Sequence, residues 1–268
     1  MITNKGIDGG NAFDWGKTSD DYAKFRDIYP ALFYQKIVDM GLCIKGQRVL
    51  DLGTGTGVLP RNLYRHGAEF VGADISENQI EQARRLSTEA GMKISYIVSP
   101  AETVDFPDGC FDVITACQCF IYFDKAVIGQ KLHRLLKDGG HFCKLSMIWL
   151  PTECEIAQAS ENIVLKYNPT WTGAGFTREA SMFSGEMPAC LEGLFEIADT
   201  VAFDVPISFT RESWHGRMKA CRGIGASSLS AEQIAEWEKE HIAYLRTVSE
   251  EFDILHFVTM LILRKSTR

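Results

Sequence analysis

The strongest constraint on this chain lies in one short stretch. The apolar run Val49-Leu50 meets an acid, Asp51, then Leu52, and glycines follow at alternate positions, Gly53, Gly55 and Gly57. Val58 to His66 reads as a helix, and Glu69-Phe70-Val71-Gly72-Ala73 as a second strand that ends on another acid, Asp74. The two acids are 23 residues apart, which fits one strand–helix–strand unit. Glycines after a strand let the backbone turn sharply and let a ligand come close to it. The first N–H groups of the following helix favour an anionic group there, and the second acid stands where such folds hold a ribose diol.

The spacing separates two classes of ligand. Dinucleotide folds usually show G-x-G-x-x-G, without an acid two residues before the first glycine. Here the pattern is D-x-G-x-G-x-G. A carboxylate beside the turn would repel a pyrophosphate, and it would suit an ammonium. A glycine triplet alone is also compatible with a tight turn that binds nothing; the flanking acids favour a ligand.

At 268 residues, with 46% hydrophobic and 24% charged residues, the chain suits one large α/β domain. The net charge of −7 argues against a broad nucleic-acid surface. No apolar stretch of about 20 residues predicts a membrane span, and Met1 to Asp8 lacks a signal-peptide core. Eight cysteines are scattered with no C-x-x-C pair, so no metal site is expected and a reducing cytoplasm is the natural compartment.

Strands are predicted at 48–52, 69–73, 93–98, 111–117 and 140–147. Helices are predicted at 57–66, 77–90 and 124–137, with Ser76 and Gln79 capping the second and Asp138-Gly139-Gly140 stopping the third. This alternation implies a doubly wound, parallel sheet. Ser19 to Met40 forms a helical cap broken at Pro30, with Tyr22, Arg26 and Tyr29 on one face. The regular pattern stops after Trp149. Residues 150–195 read as an inserted lid with a helix at 153–166 and a mobile loop bearing Trp171 and Phe176. A strand at 197–209, a helix at 211–221, a Ser230-capped helix to about 249 and a last strand from Phe252 to Leu263 complete a single domain over 1–268.

From Tyr22 onward the chain resembles the class I methyltransferases that use S-adenosylmethionine, in the small-molecule group with trans-aconitate-type enzymes. The resemblance rests on Asp51-Leu52-Gly53-Thr54-Gly55-Thr56-Gly57, Gly72-Ala73-Asp74-Ile75-Ser76, Ser99-Pro100-Ala101-Glu102, Phe106 to Thr115 and Leu136-Lys137-Asp138-Gly139-Gly140. It implies a Rossmann-like sheet of seven strands, mostly parallel with an antiparallel last strand. It also implies that the first segment, with Asp51, Gly53, Thr54, Gly55 and Gly57, wraps the methionine part of the cofactor. Asp74 and Ile75 would meet the ribose, Ala101 and Glu102 the adenine, and Cys117-Gln118 the reactive methyl. Tyr22 and Arg26 would close over the cofactor. One departure stands out: relatives often carry histidine where this chain has Ile121, within Phe120-Ile121-Tyr122-Phe123.

The expected reaction is transfer of a methyl group from S-adenosylmethionine to a small-molecule acceptor, leaving S-adenosylhomocysteine. The leaving group is already good, so alignment and water exclusion dominate. An acceptor hydroxyl or ammonium would also need a base, for which His215 is the candidate. Trp149, Trp171, Phe176, Trp214 and Arg217 are candidates for the acceptor pocket. A non-catalytic cofactor-binding protein and a nicotinamide-dependent oxidoreductase are the competing readings.

Overall fold

The structure is a computed structural model that describes residues 2–179 and 185–266. The chain divides into two compact units. The first comprises Met1–Ile28, Ile148–Ala180 and Asp204–Phe257; the second comprises Tyr29–Met147, Ser181–Phe203 and Val258–Arg268. No helix among the described residues is long and apolar enough to cross a membrane.

The N-terminal helical segment breaks where Pro30 predicts. Helix α1 spans Ser19–Phe25, and α2 spans Ala31–Asp39 after Pro30 in extended conformation. Then β1 (Arg48–Leu52), α3 (Val58–Leu63), β2 (Glu69–Asp74), α4 (Glu77–Glu89), β3 (Ser95–Val98) and β4 (Phe111–Cys117) follow in regular alternation. Ser76 caps α4 by accepting from the Gln79 amide.

Helix α5 (Ile128–Leu135) is shorter than expected at both ends. Asp124 folds back on the Ala126 amide and delays the start. Leu136 is already extended and opens β5 (Leu136–Trp149). The Asp138-Gly139-Gly140 stretch therefore does not stop the helix. It makes an irregularity in β5, where the pairing jumps from Phe111↔Leu136 to Val113↔His141.

The sheet has seven strands in the order β3-β2-β1-β4-β5-β7-β6, with β6 spanning Phe195–Thr210 and β7 Glu251–Lys265. The pairs β3/β2, β2/β1, β1/β4 and β4/β5 are parallel. Strand β7 runs the other way. Lys265 Nζ reaches Leu136 O at one end and Thr259 Oγ1 meets Ser146 Oγ further along, so one strand's numbering falls as the other's rises. The expected seven-stranded Rossmann-like sheet with an antiparallel last strand is the fold observed.

The strand order reverses between β1 and β4, which is where open α/β sheets leave a crevice at the carboxyl ends. Beneath it, one sheet face of the second unit is apolar: Leu50, Leu52, Ala73, Ile114, Ala116 and Phe142 pack against α5 residues such as Leu132 and Leu135.

The first unit contains α1 and three further helices, α6 (Glu155–Tyr167), α7 (Arg211–Lys219) and α8 (Ala231–Leu245). Thr210 and Ser213 form a reciprocal capping box at α7, and Ser230 and Gln233 do the same at α8. Its interior is aromatic and polar together. The Trp149 and Trp171 indole N–H groups both donate to the buried Glu161 carboxylate, at 2.8 and 2.5 Å. Arg222 pairs with Asp8, and both are buried.

Candidate functional site

Strand β1 ends buried and turns at once. Gly53, Gly55 and Gly57 all take the left-handed backbone that favours glycine, with φ of 63, 54 and 74°. Two of them also have no room for a side chain. A Cβ at Gly53 would lie 2.6 Å from Cys119 Sγ, and one at Gly57 would lie 2.4 Å from the Tyr96 hydroxyl. The turn is stitched to β2: the Thr54 amide donates to Ala73 O and the Gly55 amide to Asp74 Oδ2. Helix α3 after it has six residues. Its dipole is correspondingly small, so the helix terminus contributes less to anion binding than the sequence pattern implies.

The two acids have different tasks. Asp51 is 2% exposed and accepts the Thr115 hydroxyl at 2.6 Å. Burial pushes its carboxyl up to about 6, the Thr115 bond opposes this, and nearby Asp74 adds to it. Asp74 spans the turn and the start of α4: one oxygen takes the Gly55 amide and the other the Ser76 amide, both at 2.9 Å. Burial raises its carboxyl too, against those amide bonds.

Beyond Asp74 the edge becomes apolar and open. Ile75 is 51% exposed, and Val98, the register partner of Asp74 on β3, is 46% exposed. Ala101 is buried, whereas the Glu102 carboxylate accepts the Asp124 amide at 2.7 Å and ties this loop to the one after β4.

The end of β4 closes the other side. Gln118 is a non-glycine residue at φ 63°. Its amide is held by Met147 O at 2.5 Å and by the Tyr29 hydroxyl at 3.2 Å. The Cys117 thiol also donates to Tyr29, at 3.3 Å. Cys119 Sγ donates to Leu52 O, and burial pushes its thiol well above the usual range. The second unit thus brings together Asp51, Gly53, Thr54, Gly55, Gly57, Asp74, Ile75, Ala101, Glu102, Cys117 and Gln118. It adds Tyr29 of the helical cap, Thr115 at the end of the Phe106–Thr115 segment, and Tyr96, Val98 and Cys119, which no local motif marks.

The other candidates lie in the first unit. The Arg26 guanidinium stacks on the Tyr22 ring at 4.5 Å and reaches Cys221 Sγ. Arg217 is buried over the Trp149 ring, 4.6 Å from its centroid, and also bonds Cys221 Sγ. Trp214 is fully buried, with its indole N–H on Ser160. His215 is stacked on Trp237, and its Nδ1 lies 2.9 Å from Nδ1 of His241. Burial lowers its pKa, against the opposing pull of Glu238. The segment expected to be a mobile loop is tied down: Asn168 bonds Gly223 O, Thr172 bonds Asp8, and Trp171 is buried over Gly173, with Phe176 beside it. Large aromatics there found internal partners, so they pack as interior. Residues 180–184 of the 150–195 segment lie outside the described residues.

Comparison with known proteins bears on this arrangement. The model of the family described as Methyltransferase domain matches residues 49–140, which contain the turn, both acids and the end of β4. That segment is similar to a methyltransferase domain. A demethylmenaquinone methyltransferase of Thermus thermophilus is 35% identical to it over 41% of this chain and 52% of that protein. A ubiquinone biosynthesis O-methyltransferase of Vibrio cholerae is 30% identical over 47% of this chain and 52% of its own length. The chain thus spans about half the length of these curated relatives. Among solved structures, the YcgJ protein of Bacillus subtilis superposes with a TM-score of 0.52 at 19% identity, covering 88% of this chain and all (100%) of that one, a likeness of fold.

The matched segment has three features that bear on what it could hold. The turn has places where a Cβ would collide, so the backbone itself is the contact surface. Thr56 Oγ1 is fully buried with no hydrogen-bond partner among the described residues. Ile75 and Val98 offer open apolar surface for a flat ring.

Proposed function

We propose that the chain transfers a methyl group from S-adenosylmethionine to a small-molecule acceptor by in-line displacement. The observation that carries this is the Gly53–Gly57 turn braced by Asp74, inside the matched methyltransferase segment. When bound, the cofactor supplies an electrophilic methyl on a sulfonium. The chain's own residues orient it. Asp74 accepts the Gly55 amide on one oxygen and the Ser76 amide on the other, with Ile75 as a further backbone donor, and its remaining acceptor capacity would meet a ribose diol. Ile75 and Val98 would flank the adenine. Cys117 and Gln118 would border the reacting end, where alignment rather than acid–base chemistry sets the rate.

In this reading the acceptor is a small molecule and the compartment is the reducing cytoplasm. Support comes from the net charge of −7 and from the eight cysteines, all of them free. Calorimetry with S-adenosylhomocysteine and with NAD tests the cofactor. Micromolar binding of the first, roughly −8 kcal/mol, and none of the second are expected. NAD binding alone would establish an oxidoreductase. Adenosyl binding without turnover of any labelled metabolite would favour the non-catalytic alternative.

A further inference from the structure

Glu161 stands where a carboxylate is hard to keep charged. It is 1% exposed, and each of its oxygens accepts an indole N–H: Oε1 from Trp149 at 2.8 Å and Oε2 from Trp171 at 2.5 Å. Both donors are neutral, so they disperse a charge without cancelling it. Burial pushes the carboxyl up to about 7 from an ordinary 4.5, while the two indoles and Arg217 pull the other way.

The two tryptophans are not equally fixed. Trp149 ends β5, a strand of the sheet. Trp171 sits between α6 and the short helical turn Thr172–Gly175. The backbone bonds of its segment are local, from Trp171 N to Asn168 O and from Phe176 N to Gly173 O. Beyond these, single side-chain bonds fasten it: Asn168 to Gly223 O at 2.9 Å, Asn11 to Thr170 at 2.9 Å, and the Thr172 amide and hydroxyl to Asp8 at 2.9 and 2.8 Å. A segment held this way, without a ladder, opens at lower cost than the sheet does.

Charged groups approach the carboxylate from several elements. Arg217 on α7 lies over the Trp149 ring, and Arg222, paired with Asp8, lies over the Trp171 ring. His256 on β7 is edge-on to Trp149, and burial pushes it down to about 3. On α8, His241 reaches Ser160, the residue before Glu161, and is likewise pushed down to about 3 by burial. His215 lies behind His241. Glu240 is taken up by Lys166 and Tyr167, and Glu153 by Arg178.

We propose that Glu161 is a proton-operated latch on the Trp171 segment: with its proton it stays between the two indoles and residues 168–176 stay closed, and without it the carboxylate draws in water and those residues open. Trp149 and Arg217 flank the same carboxylate, so the latch would also set access to them. This holds whichever cofactor the second unit takes. In the open form Glu161 meets water and ionises in the ordinary range near 4.5, whereas the closed form keeps its proton to about 7. Closure is therefore firmest below the first value, weakens as the pH rises between the two, and levels off above the second.

Hydrogen exchange of the full chain between pH 5.5 and pH 8.5, read as protection factors so that the intrinsic rate drops out, tests this. Protection at 168–176 should fall about five- to tenfold from pH 5.5 to 6.5 and change little from 7.5 to 8.5. Glu161→Gln cannot ionise and should give protection that is flat over the range. His215, whose pKa burial lowers, would produce the opposite sign. Flat protection in the unaltered protein would overturn the latch. So would a fall that persists in Glu161→Gln, or one shared equally by α8, which would mean that the whole unit opens. If Glu161→Gln does not fold, the unaltered protein decides alone: a fall that continues above pH 7.5 counts against Glu161.

Discussion

A carboxylate buried under a glycine turn destabilises the fold whenever it is charged, and Asp51 is such a group. Its pKa is about 6 in the folded chain against an ordinary value of 3.8. The folded form therefore holds the proton more tightly than the unfolded one. The penalty is absent below about pH 4, grows through about pH 6 and is complete above it. Between pH 5 and pH 8 the protein should lose about 1–2 kcal/mol of unfolding free energy relative to Asp51→Asn. Urea melts of both proteins at the two pH values check this, and parallel changes would show that folding does not raise the Asp51 pKa. The asparagine keeps an oxygen for the Thr115 hydroxyl, so the comparison isolates the charge. Asp51, Asp74 and the three glycines were legible in the sequence because a strand end, a left-handed turn and a second strand end are local demands on local residues. Tyr29, Tyr96 and Cys119 were not. Each acts on the turn or on the β4 end only after distant segments have been brought together, and tyrosine or cysteine in an apolar context signals nothing by itself.

Helices α7 and α8 are joined by a chain of polar groups that runs from the half-buried His215 to the buried His241 and Ser160. His215 Nδ1 meets His241 Nδ1, His241 Nε2 meets Ser160 Oγ, and the Trp214 indole donates to the same Ser160. Glu238 and Lys219 lie on the outer side of His215, paired with each other at 2.7 Å. Burial pushes His241 down to about 3, with His215 adding to the shift. A histidine lowered in this way binds its proton less well in the folded state. Its stabilising effect is whole above about pH 6.5 and declines as the pH falls toward 3. His241 alone should cost about 2 kcal/mol between pH 7 and pH 5. A His241→Gln variant should show that much less acid sensitivity in urea unfolding, and equal sensitivity would count against a neutral buried ring. At this scale the sequence predicted every strand of the sheet and the caps of α4 and α8. It overran α5, because the Asp124 side chain's bond to the Ala126 amide and the early strand pairing of Leu136 outweigh helical periodicity there. Residues 150–195 read as a lid because their pattern departs from the strand–helix alternation. The partners that tie them down, Asp8, Gly223 and Arg222, come from segments far away in sequence.

Over the whole molecule, a ligand that binds only the folded chain stabilises it by mass action, about 2.7 kcal/mol at a hundred times its dissociation constant. Hydrogen exchange with S-adenosylhomocysteine should locate that effect. Protection is expected at 53–57, 74–77, 98–102 and 117–119, and none along the exposed stretch 196–200 of β6. Protection spread evenly over the chain, or absent from the turn, would contradict the assigned site. The sheet order carries a consequence for synthesis. Strand β7 lies between β5 and β6, yet it is made after both. Until the ribosome has released β7, β6 has no neighbour to pair with and β5 keeps one ladder edge bare. A nascent chain stalled before Glu251 would therefore expose one edge of β5 and both edges of β6, a sticky intermediate for chaperones to shield.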